Sequence, residues 1–301
     1  MGLRIEAQEI LREFRCDENP LDIFDGYASS NGQLIRSCRR WFGQGPDKYG
    51  DWLNSRVVVS AREFDYGDDP RIFLFQGKIC VSSNIFSPGF GFRNHLVEIN
   101  PDGSWNRYFL MVPSDVVVGK NWSPFEFPDG VLGFVHSFSP LRILREVRRE
   151  NGIILLKAIE AMGIPAEPGD AHGFPAHRGG TNGLRIGTHI VGIGHTTRVA
   201  RGNDGELVYS PGAGYERNEQ LIHRPFLWTL STSELTLTCQ EISHNWDDRF
   251  WVVDPTSFIF GASAGQYSFF TTEVERSFID PTSAGRVMRY DVSVDMNPER
   301  E

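Results

Sequence analysis

The sequence contains little cysteine, and the cysteines it has are not arranged as metal ligands. Its four cysteines, at positions 16, 38, 80 and 239, are widely scattered and include no Cys-x-x-Cys pair. This spacing excludes a zinc site of that type and a dense disulfide framework. We therefore predict reduced thiols and a cytoplasmic protein.

Long apolar runs are also missing. The first six residues already include an arginine and a glutamate, and no apolar core of signal-peptide type follows them. Nowhere does an uncharged apolar run approach the roughly 20 residues that a membrane helix needs. We expect an unexported protein without membrane insertion.

Basic residues are outnumbered, with 30 Lys and Arg against 39 Asp and Glu, which gives a net charge of −9. An acidic chain is a poor partner for a phosphate backbone, so nucleic acid is not expected to bind. The sequence also contains no His-x-x-x-His pair, phosphate-binding P-loop or dinucleotide-binding glycine pattern. We predict no metal and no cofactor.

Helical periodicity is scarce, whereas β-type patterns are frequent. Residues 5–15 are compatible with a short amphipathic helix, and residues 140–162 are mixed, with both helical and strand-like spacing. The rest consists of short β-branched and aromatic runs joined by turn signals such as Gln76-Gly77, Asp102-Gly103 and Asp129-Gly130. The sequence predicts an all-β protein with a large core.

A coarse repeat organises these strands. A short polar motif followed by an apolar hairpin begins near residues 37, 68, 120, 178 and 257. The spacing is close to the roughly 40–50 residues of a four-stranded propeller blade with inserted loops. We predict one domain over residues 1–301, a five-bladed β-propeller with its active site in the central channel. Residues 27–294 form the blades, and residues 1–26 are an extension or closing segment.

The second motif, Asp68-Asp69-Pro70-Arg71, stands immediately before an apolar strand. Taken alone it is ordinary turn chemistry, because proline keeps the preceding residue out of the helical region. Charged residues at the start of a buried strand are, however, costly unless they bind or react. Adjacent strand residues face opposite sides, so only one of the two aspartates can face a channel. The pattern leaves open which one does.

This stretch resembles the Gly-x-Glu-Asp-Pro-Arg pattern of five-bladed propeller glycoside hydrolases and phosphorylases, especially those acting on β-mannosides. The later Arg178-Gly-Gly-Thr181 and Gly192-Ile-Gly-His-Thr196 motifs are similar to that family too. The resemblance covers roughly residues 27–274, and related β-1,2-mannosyltransferases share the fold.

The resemblance implies that Asp69 is the catalytic acid that delivers a proton to the glycosidic oxygen, with Arg71 holding a carboxylate or a sugar hydroxyl. The sequence departs from the family where Asp68 replaces glutamate and Tyr66 replaces glycine. Residues 33–40 also carry arginines instead of the catalytic aspartate of arabinanase-like relatives. Hydrolysis therefore lacks an evident base, for which Glu126 and Asp254 are the alternatives.

The remaining predicted site residues open the other repeats and supply donors or an aromatic face for sugar or phosphate. They are Arg36, Arg40, Lys120, Asn121, Trp122, Arg178, Gly180, Thr181 and His195, with Asp68 and Arg71 as substrate contacts beside the catalytic Asp69. For Trp122 the alternative is a side chain that packs between blades, and for His195 a satisfied core histidine. We interpret Asp247, Asp248, His223, His244 and the arginines of residues 142–149 as solvated or structural.

Three functions remain open at this point. The first is an inverting, phosphorylase-type enzyme acting on β-mannoside-like substrates, in which the cationic residues hold inorganic phosphate or a sugar phosphate as co-substrate. The second is a glycosyltransferase that builds a β-linked oligosaccharide from a sugar nucleotide or sugar phosphate. The third is a propeller that binds glycan or protein without catalysis. A carbohydrate substrate is the expected partner.

Overall fold

The computed structural model describes residues 2–42, 55–64, 67–87, 91–114, 121–138, 140–163, 177–201, 219–276 and 282–295. These residues form strands, turns and bends, and none of them is helical. The all-β prediction is therefore confirmed for the described part of the chain. No helix long and apolar enough to cross a membrane occurs within it.

Twenty-one strands are described. They are β1 (Gly2–Arg15), β2 (Leu21–Ser30), β3 (Gln33–Trp41), β4 (Ser55–Val59), β5 (Arg62–Phe64), β6 (Asp68–Phe75), β7 (Lys78–Ser87), β8 (Gly91–Ile99), β9 (Trp105–Met111), β10 (Ser123–Glu126), β11 (Leu132–Phe138), β12 (Leu141–Glu150), β13 (Ile153–Ile159), β14 (His177–Arg178), β15 (Leu184–Ile186), β16 (His189–Arg201), β17 (Glu219–Ser231), β18 (Leu237–Glu241), β19 (Val252–Phe260), β20 (Gln266–Val274) and β21 (Ala284–Asp295).

The strands form four sheets, in the orders β2-β3-β4-β5, β10-β11-β12-β13-β9-β8-β7-β6, β14-β16-β17-β18 with β15 also on β16, and β1-β21-β20-β19. The eight-stranded sheet contains two antiparallel meanders, β6 to β9 and β10 to β13. A short parallel ladder between β9 and β13 joins them, with Phe109 opposite Ile153 and Met111 opposite Leu155. Within the described residues the chain thus runs through five successive antiparallel meanders, of which the first is β2 to β5, the fourth β14 to β18, and the fifth β19 to β21 with β1.

The hydrophobic cores lie between these meanders in cyclic order. One core joins the first meander to the second around Ile72, and another joins the second to the third around Phe134. A core around Trp228 joins the third to the fourth, and a core around Phe269 joins the fourth to the fifth. The last, around Trp41, joins the fifth back to the first. Each meander therefore packs on its two neighbours in sequence.

The N-terminal strand β1 completes the last sheet by pairing along β21, from Gly2 opposite Asp295 to Arg15 opposite Ala284. The possible helix over residues 5–15 is wrong because this segment is a strand. Its two register shifts, between Ile5 and Ala7 and between Ile10 and Arg12, break the two-residue alternation and leave spacing that looks helical.

The mixed region of residues 140–162 is a hairpin of β12 and β13. Asn151 and Gly152 form its turn, both with positive φ, as a two-residue hairpin of the primed type requires. Gln76 and Gly77 form the same kind of turn between β6 and β7, where the sequence predicts one. In both cases the turn residues determine which segments pair.

Candidate active site

A left-handed residue lies within or just before the first strand of three successive meanders. Phe24, Asp69 and Asn121 have φ values of 55°, 46° and 62°. The strand ladder begins or resumes two residues later, at Gly26, Arg71 and Ser123 respectively. Left-handed backbone is strained for non-glycine residues and is typical of functional sites.

The two adjacent aspartates have different surroundings. Asp68 is buried and forms an ion pair with Arg39 of β3, which is itself 2% exposed and lies 4.2 Å over the ring of Trp41. Asp69 is partly buried, and its carboxylate lies 4.0 Å from the same guanidinium. The Arg39 charge is thus shared unequally, with the closer contact to Asp68. Asp69 retains the more accessible carboxylate.

Arg71 is buried beside these carboxylates. Its Nη2 donates to Asn121 Oδ1 at 3.1 Å, while Nε and Nη1 have no hydrogen-bond partner among the described residues. Burial lowers the pKa of Arg71, and the carboxylates of Asp69, Asp254 and Asp68 oppose that shift. A buried guanidinium with two unpartnered nitrogens is well suited to hold an anion or a pair of hydroxyls.

A second carboxylate reaches this centre from β19. Asp254 is buried, its Oδ1 lies 2.6 Å from Nδ1 of His223 and 3.7 Å from Nδ1 of His195, and the two imidazoles stack with centroids 4.8 Å apart. Although burial raises the pKa of Asp254, the charge and hydrogen bond of His223, together with Arg71, outweigh it and hold the pKa well below its usual range. Asp254 is therefore an ionised carboxylate.

His195 is a neutral imidazole at ordinary pH. Burial lowers its pKa to about 3, against the opposing charge of Asp254 and with help from His223, Arg178 and Arg71. The ligating atoms of His195, His223 and Asp254 lie within 4.8 Å of one another, a spacing that a metal ion could use. The positive charges of Arg71 and Arg178 beside them weigh against a bound cation.

Glycines bring the fourth meander close to this centre. A Cβ on Gly179 would lie 1.9 Å from the Asn121 carbonyl oxygen, and one on Gly180 would lie 2.6 Å from Pro255 Cγ. Only residues without a side chain allow these backbones to approach so closely. They place Arg178, opposite His195 in the β14–β16 ladder, next to the site. Thr181 is fully buried, and its hydroxyl donates to the Asn182 carbonyl oxygen and accepts from the Ile193 N–H.

Arg36 and Arg40, predicted to contact substrate, lie on the opposite face of β3 from Arg39, because side chains alternate along a strand. Arg36 pairs with Asp25 and Asp22, and Arg40 bonds Asp22 at 2.7 Å. Arg40 also bonds Glu63 at 2.6 Å. Their charges are used in ion pairs with β2 and β5 of the first meander, on the face of β3 opposite to Arg39.

Trp122 is buried in the core between the second and third meanders, with its ring 5.7 Å from that of Phe134. This is the packing role named as the alternative for Trp122. Glu126 lies at the far end of β10, where its Oε2 accepts the Gln76 N–H at 3.1 Å. Lys120 lies outside the described residues.

The structure thus brings together Asp68, Asp69, Arg71, Asn121, Arg178 and His195 of the predicted residues, with the glycine segment beside them. Sequence reasoning missed Arg39 and His223. Arg39 can be identified from the alternation of side chains along β3, once it is known that Asp68 faces that strand. His223 follows from the β16–β17 register, in which Thr197 pairs with His223 two positions beyond His195.

Comparison with known proteins gives a match in structure but not in sequence. No protein-family model matches the chain, and no curated protein is similar to it in sequence. The structure is similar to a xylan β-1,4-xylosidase from Bacillus halodurans, with a TM-score of 0.53 and 10% identity over 90% of this chain and 53% of that one. This chain therefore spans about half of that enzyme.

Two matches cover more of the other chain. A GH43_1 enzyme from Xanthomonas citri, solved with xylose, has a TM-score of 0.51 and 10% identity over 92% of this chain and 89% of its own. An α-L-arabinofuranosidase from Lactobacillus brevis has a TM-score of 0.51 and 9% identity, covering 89% and 90%. These proteins are propeller glycoside hydrolases. At such low identity the likeness establishes the fold, a β-propeller, and leaves activity to be argued from the site.

Proposed function

We propose that the five meanders are the blades of a five-bladed propeller, and that the protein is a carbohydrate-active enzyme whose site lies at its axis. The cyclic order of the five cores and the pairing of β1 with β21 support the blade count. The site residues come from the first strands of several meanders, which is where a propeller channel is lined.

The observation that carries the proposed activity is the left-handed, partly accessible Asp69 next to Arg71, a buried guanidinium whose Nε and Nη1 have no partner among the described residues. A carboxylic acid beside a site for an anion is the arrangement that inverting phosphorolysis requires, in which the bound phosphate is the nucleophile. The similarity to glycoside hydrolases supports a sugar substrate.

In this reaction Asp69 donates its proton to the glycosidic oxygen. The electron pair of the anomeric carbon–oxygen bond leaves with that oxygen, and a nucleophile attacks the anomeric carbon from the opposite face. Arg71 and Arg178 hold the nucleophile or the sugar hydroxyls, and neutral His195 offers an imidazole nitrogen as a further contact. Asp68 neutralises Arg39, so that the more accessible carboxylate of Asp69 is left for the proton transfer.

Inorganic phosphate is the nucleophile we favour, with a β-mannoside-like substrate. Arg71 is preorganised for an anion, and phosphate needs no enzymatic base. Arg36 and Arg40 do not contribute to this pocket because their charges are used elsewhere, so the phosphate contacts reduce to Arg71, Arg178 and His195. The four free cysteines suit a cytoplasmic protein, where phosphate is available.

Hydrolysis is the second candidate, and one observation favours it. Asp254 is an ionised carboxylate electrostatically coupled to Arg71, and it is one of the two residues that the sequence offered as the base. In that mechanism water replaces phosphate and Asp254 accepts its proton. Asp254 is hydrogen-bonded and nearly inaccessible, which makes this route the weaker of the two.

The test is a donor and acceptor panel. The protein is incubated with short β-mannosides and β-xylosides, with and without phosphate, and with mannose-1-phosphate or GDP-mannose plus acceptor sugars. Phosphate-dependent formation of a sugar 1-phosphate supports phosphorolysis, and phosphate-independent release of free sugar supports hydrolysis. Turnover of GDP-mannose would point to the transferase alternative.

Two variants accompany the panel. Asp69→Asn should abolish whichever reaction responds, whereas Asp248→Asn, at an exposed carboxylate, should not change it. Full activity of Asp69→Asn would contradict the assignment. Binding of glycans with no turnover of any donor would favour a non-catalytic propeller.

A further inference from the structure

A cavity lies where β2, β6, β10 and β19 end, on the side away from the candidate active site. Its volume is about 530 Å³, within the usual range for small-ligand sites. Its lining comes from the last residues of β2, β6, β10 and β19, from the turns that follow β6 and β19, and from residues 182–185 at the start of β15. Phe260 of β19 lies six residues beyond Asp254, about 20 Å along an extended strand.

The middle of these strands separates the cavity from the candidate active site. Ile72, Thr181 and Ser257 are fully buried there. The side chain of Asn182 bridges to β19 through two hydrogen bonds of 2.9 Å, one to each backbone group of Phe258. Because this layer is packed and hydrogen-bonded, a ligand in the cavity cannot touch Asp69.

The cavity presents an aromatic ring that solvent reaches. Phe260 is 56% exposed, yet its ring is held against Tyr267 with centroids 5.9 Å apart. Leu74, on β6, is 43% exposed and lines the same cavity. An aromatic face fixed at a cavity mouth is the surface on which the C–H face of a pyranose ring packs.

Two opposite charges share the cavity without pairing with each other. Glu126 is fixed by the Gln76 N–H on its Oε2, and its Oε1 has no described hydrogen-bond partner. Arg185 bonds only the Pro128 carbonyl, weakly at 3.4 Å, within the described residues. A free carboxylate oxygen accepts from hydroxyls and free guanidinium N–H groups donate to them. A ligand with hydroxyls of both roles matches this pair better than an ion of either sign.

We propose that this cavity is a second, non-catalytic carbohydrate site that holds one neutral sugar ring, with its C–H face on Phe260 and its hydroxyls on Glu126 and Arg185. The inference rests on the cavity itself and does not depend on the reaction at Asp69. A ligand held here anchors the protein to glycan on the face opposite to the catalytic centre.

The test uses amide NMR signals as local reporters during titration with methyl β-mannopyranoside and methyl β-xylopyranoside. Gly77 and Gly261 line the cavity, whereas Gly179 and Gly180 adjoin the active site. One of the two sugars should shift the Gly77 and Gly261 signals with a single affinity. Phe260→Ala should weaken that affinity about fivefold, the size expected for one aromatic contact.

Matched variants make the result decisive. Phe109→Ala removes another exposed ring, at 50% exposure on the outer strand β9, and should leave the affinity unchanged. Glu126→Gln keeps an acceptor for Gln76 but loses the charge, and should weaken binding. The proposal is overturned if neither sugar shifts Gly77 and Gly261, if Phe260→Ala has no effect, or if cyclohexanol binds there as tightly as the sugars. If Asp69→Asn loses turnover but the Gly77 and Gly261 signals still report the wild-type sugar affinity, the two sites are independent.

Discussion

Replacing Asp68 by asparagine should destabilise the protein, whereas replacing Asp69 by asparagine should inactivate it. In Asp68→Asn the buried Arg39 loses its close ionic partner, and breaking such a pair costs about 3–5 kcal/mol. The carboxylate of Asp69, 4.0 Å from the same guanidinium, compensates in part, so we expect a loss near 3 kcal/mol in the free energy of unfolding.

Asp69→Asn should cost less than about 1 kcal/mol. Asparagine tolerates the left-handed region at least as well as aspartate does, so the φ of 46° is no obstacle to it. The closer ion pair of Arg39 with Asp68 also stays intact. This variant should therefore be folded and inactive, whereas Asp68→Asn should be destabilised.

Urea unfolding of the two variants, followed by circular dichroism, measures the difference. A double-mutant cycle with Arg39→Met isolates the pair, because the combined loss for Arg39→Met with Asp68→Asn should be smaller than the sum of the single losses. The assignment of the two carboxylates is refuted if the free energy of unfolding of Asp68→Asn lies within 1 kcal/mol of the wild-type value. It is also refuted if Asp69→Asn is destabilised as much as Asp68→Asn.

Three other predictions test the surroundings of the site. Gly179→Ala should reduce turnover at least tenfold or prevent folding, because its Cβ would collide with the Asn121 carbonyl oxygen. The control Gly32→Ala, at a glycine with φ of 74° and open space around it, should lower the free energy of unfolding by only about 1 kcal/mol and leave turnover intact. Arg36→Met should destabilise the protein by about 3 kcal/mol, because it deprives the fully buried Asp25 of one cation, without changing the KM for phosphate; a raised KM would return Arg36 to the site. Acid should destabilise the fold. In the unfolded chain His195 and His95 take up protons near pH 6.5, whereas burial lowers their pKa values in the folded protein to about 3 and about 4. The free energy of unfolding should therefore fall as the pH drops below 6.5, by about 2 kcal/mol for each histidine at pH 5. A urea midpoint that is the same at pH 7.5 and pH 5, or a His95→Phe variant as acid-sensitive as the wild type, would contradict the last of these.

The strands were predictable where local chemistry decides them. Turn residues with positive φ, such as Gly77 and Gly130, end one apolar run and begin the next, so sequence alone identifies those hairpins. Residues 5–15 were ambiguous because two register shifts disrupt their alternation. The strand β2 was not predicted as the start of the first meander, since its kink at Phe24 interrupts the strand pattern.

The site was predictable only in part, because it depends on which face of each strand looks inward. Asp69 and Arg71 could be singled out because proline and charge stand directly before a buried strand. Choosing Arg39 over Arg36 and Arg40 requires knowing which alternate residues of β3 face the site. Local sequence does not reveal that. His223 reaches Asp254 across meanders, a contact that depends on the packing of β17 beside β19.

The central claim, that Asp69 is a proton donor, is tested most directly by varying the leaving group. Asp69→Asn and the wild type are compared on a glycoside with an alkyl leaving group and on the matching 2,4-dinitrophenyl glycoside, which departs without protonation. The account predicts a loss of about 10²–10⁴-fold on the alkyl glycoside and a loss of less than about tenfold on the activated one. Equal losses on both substrates, or no loss on either, would contradict it.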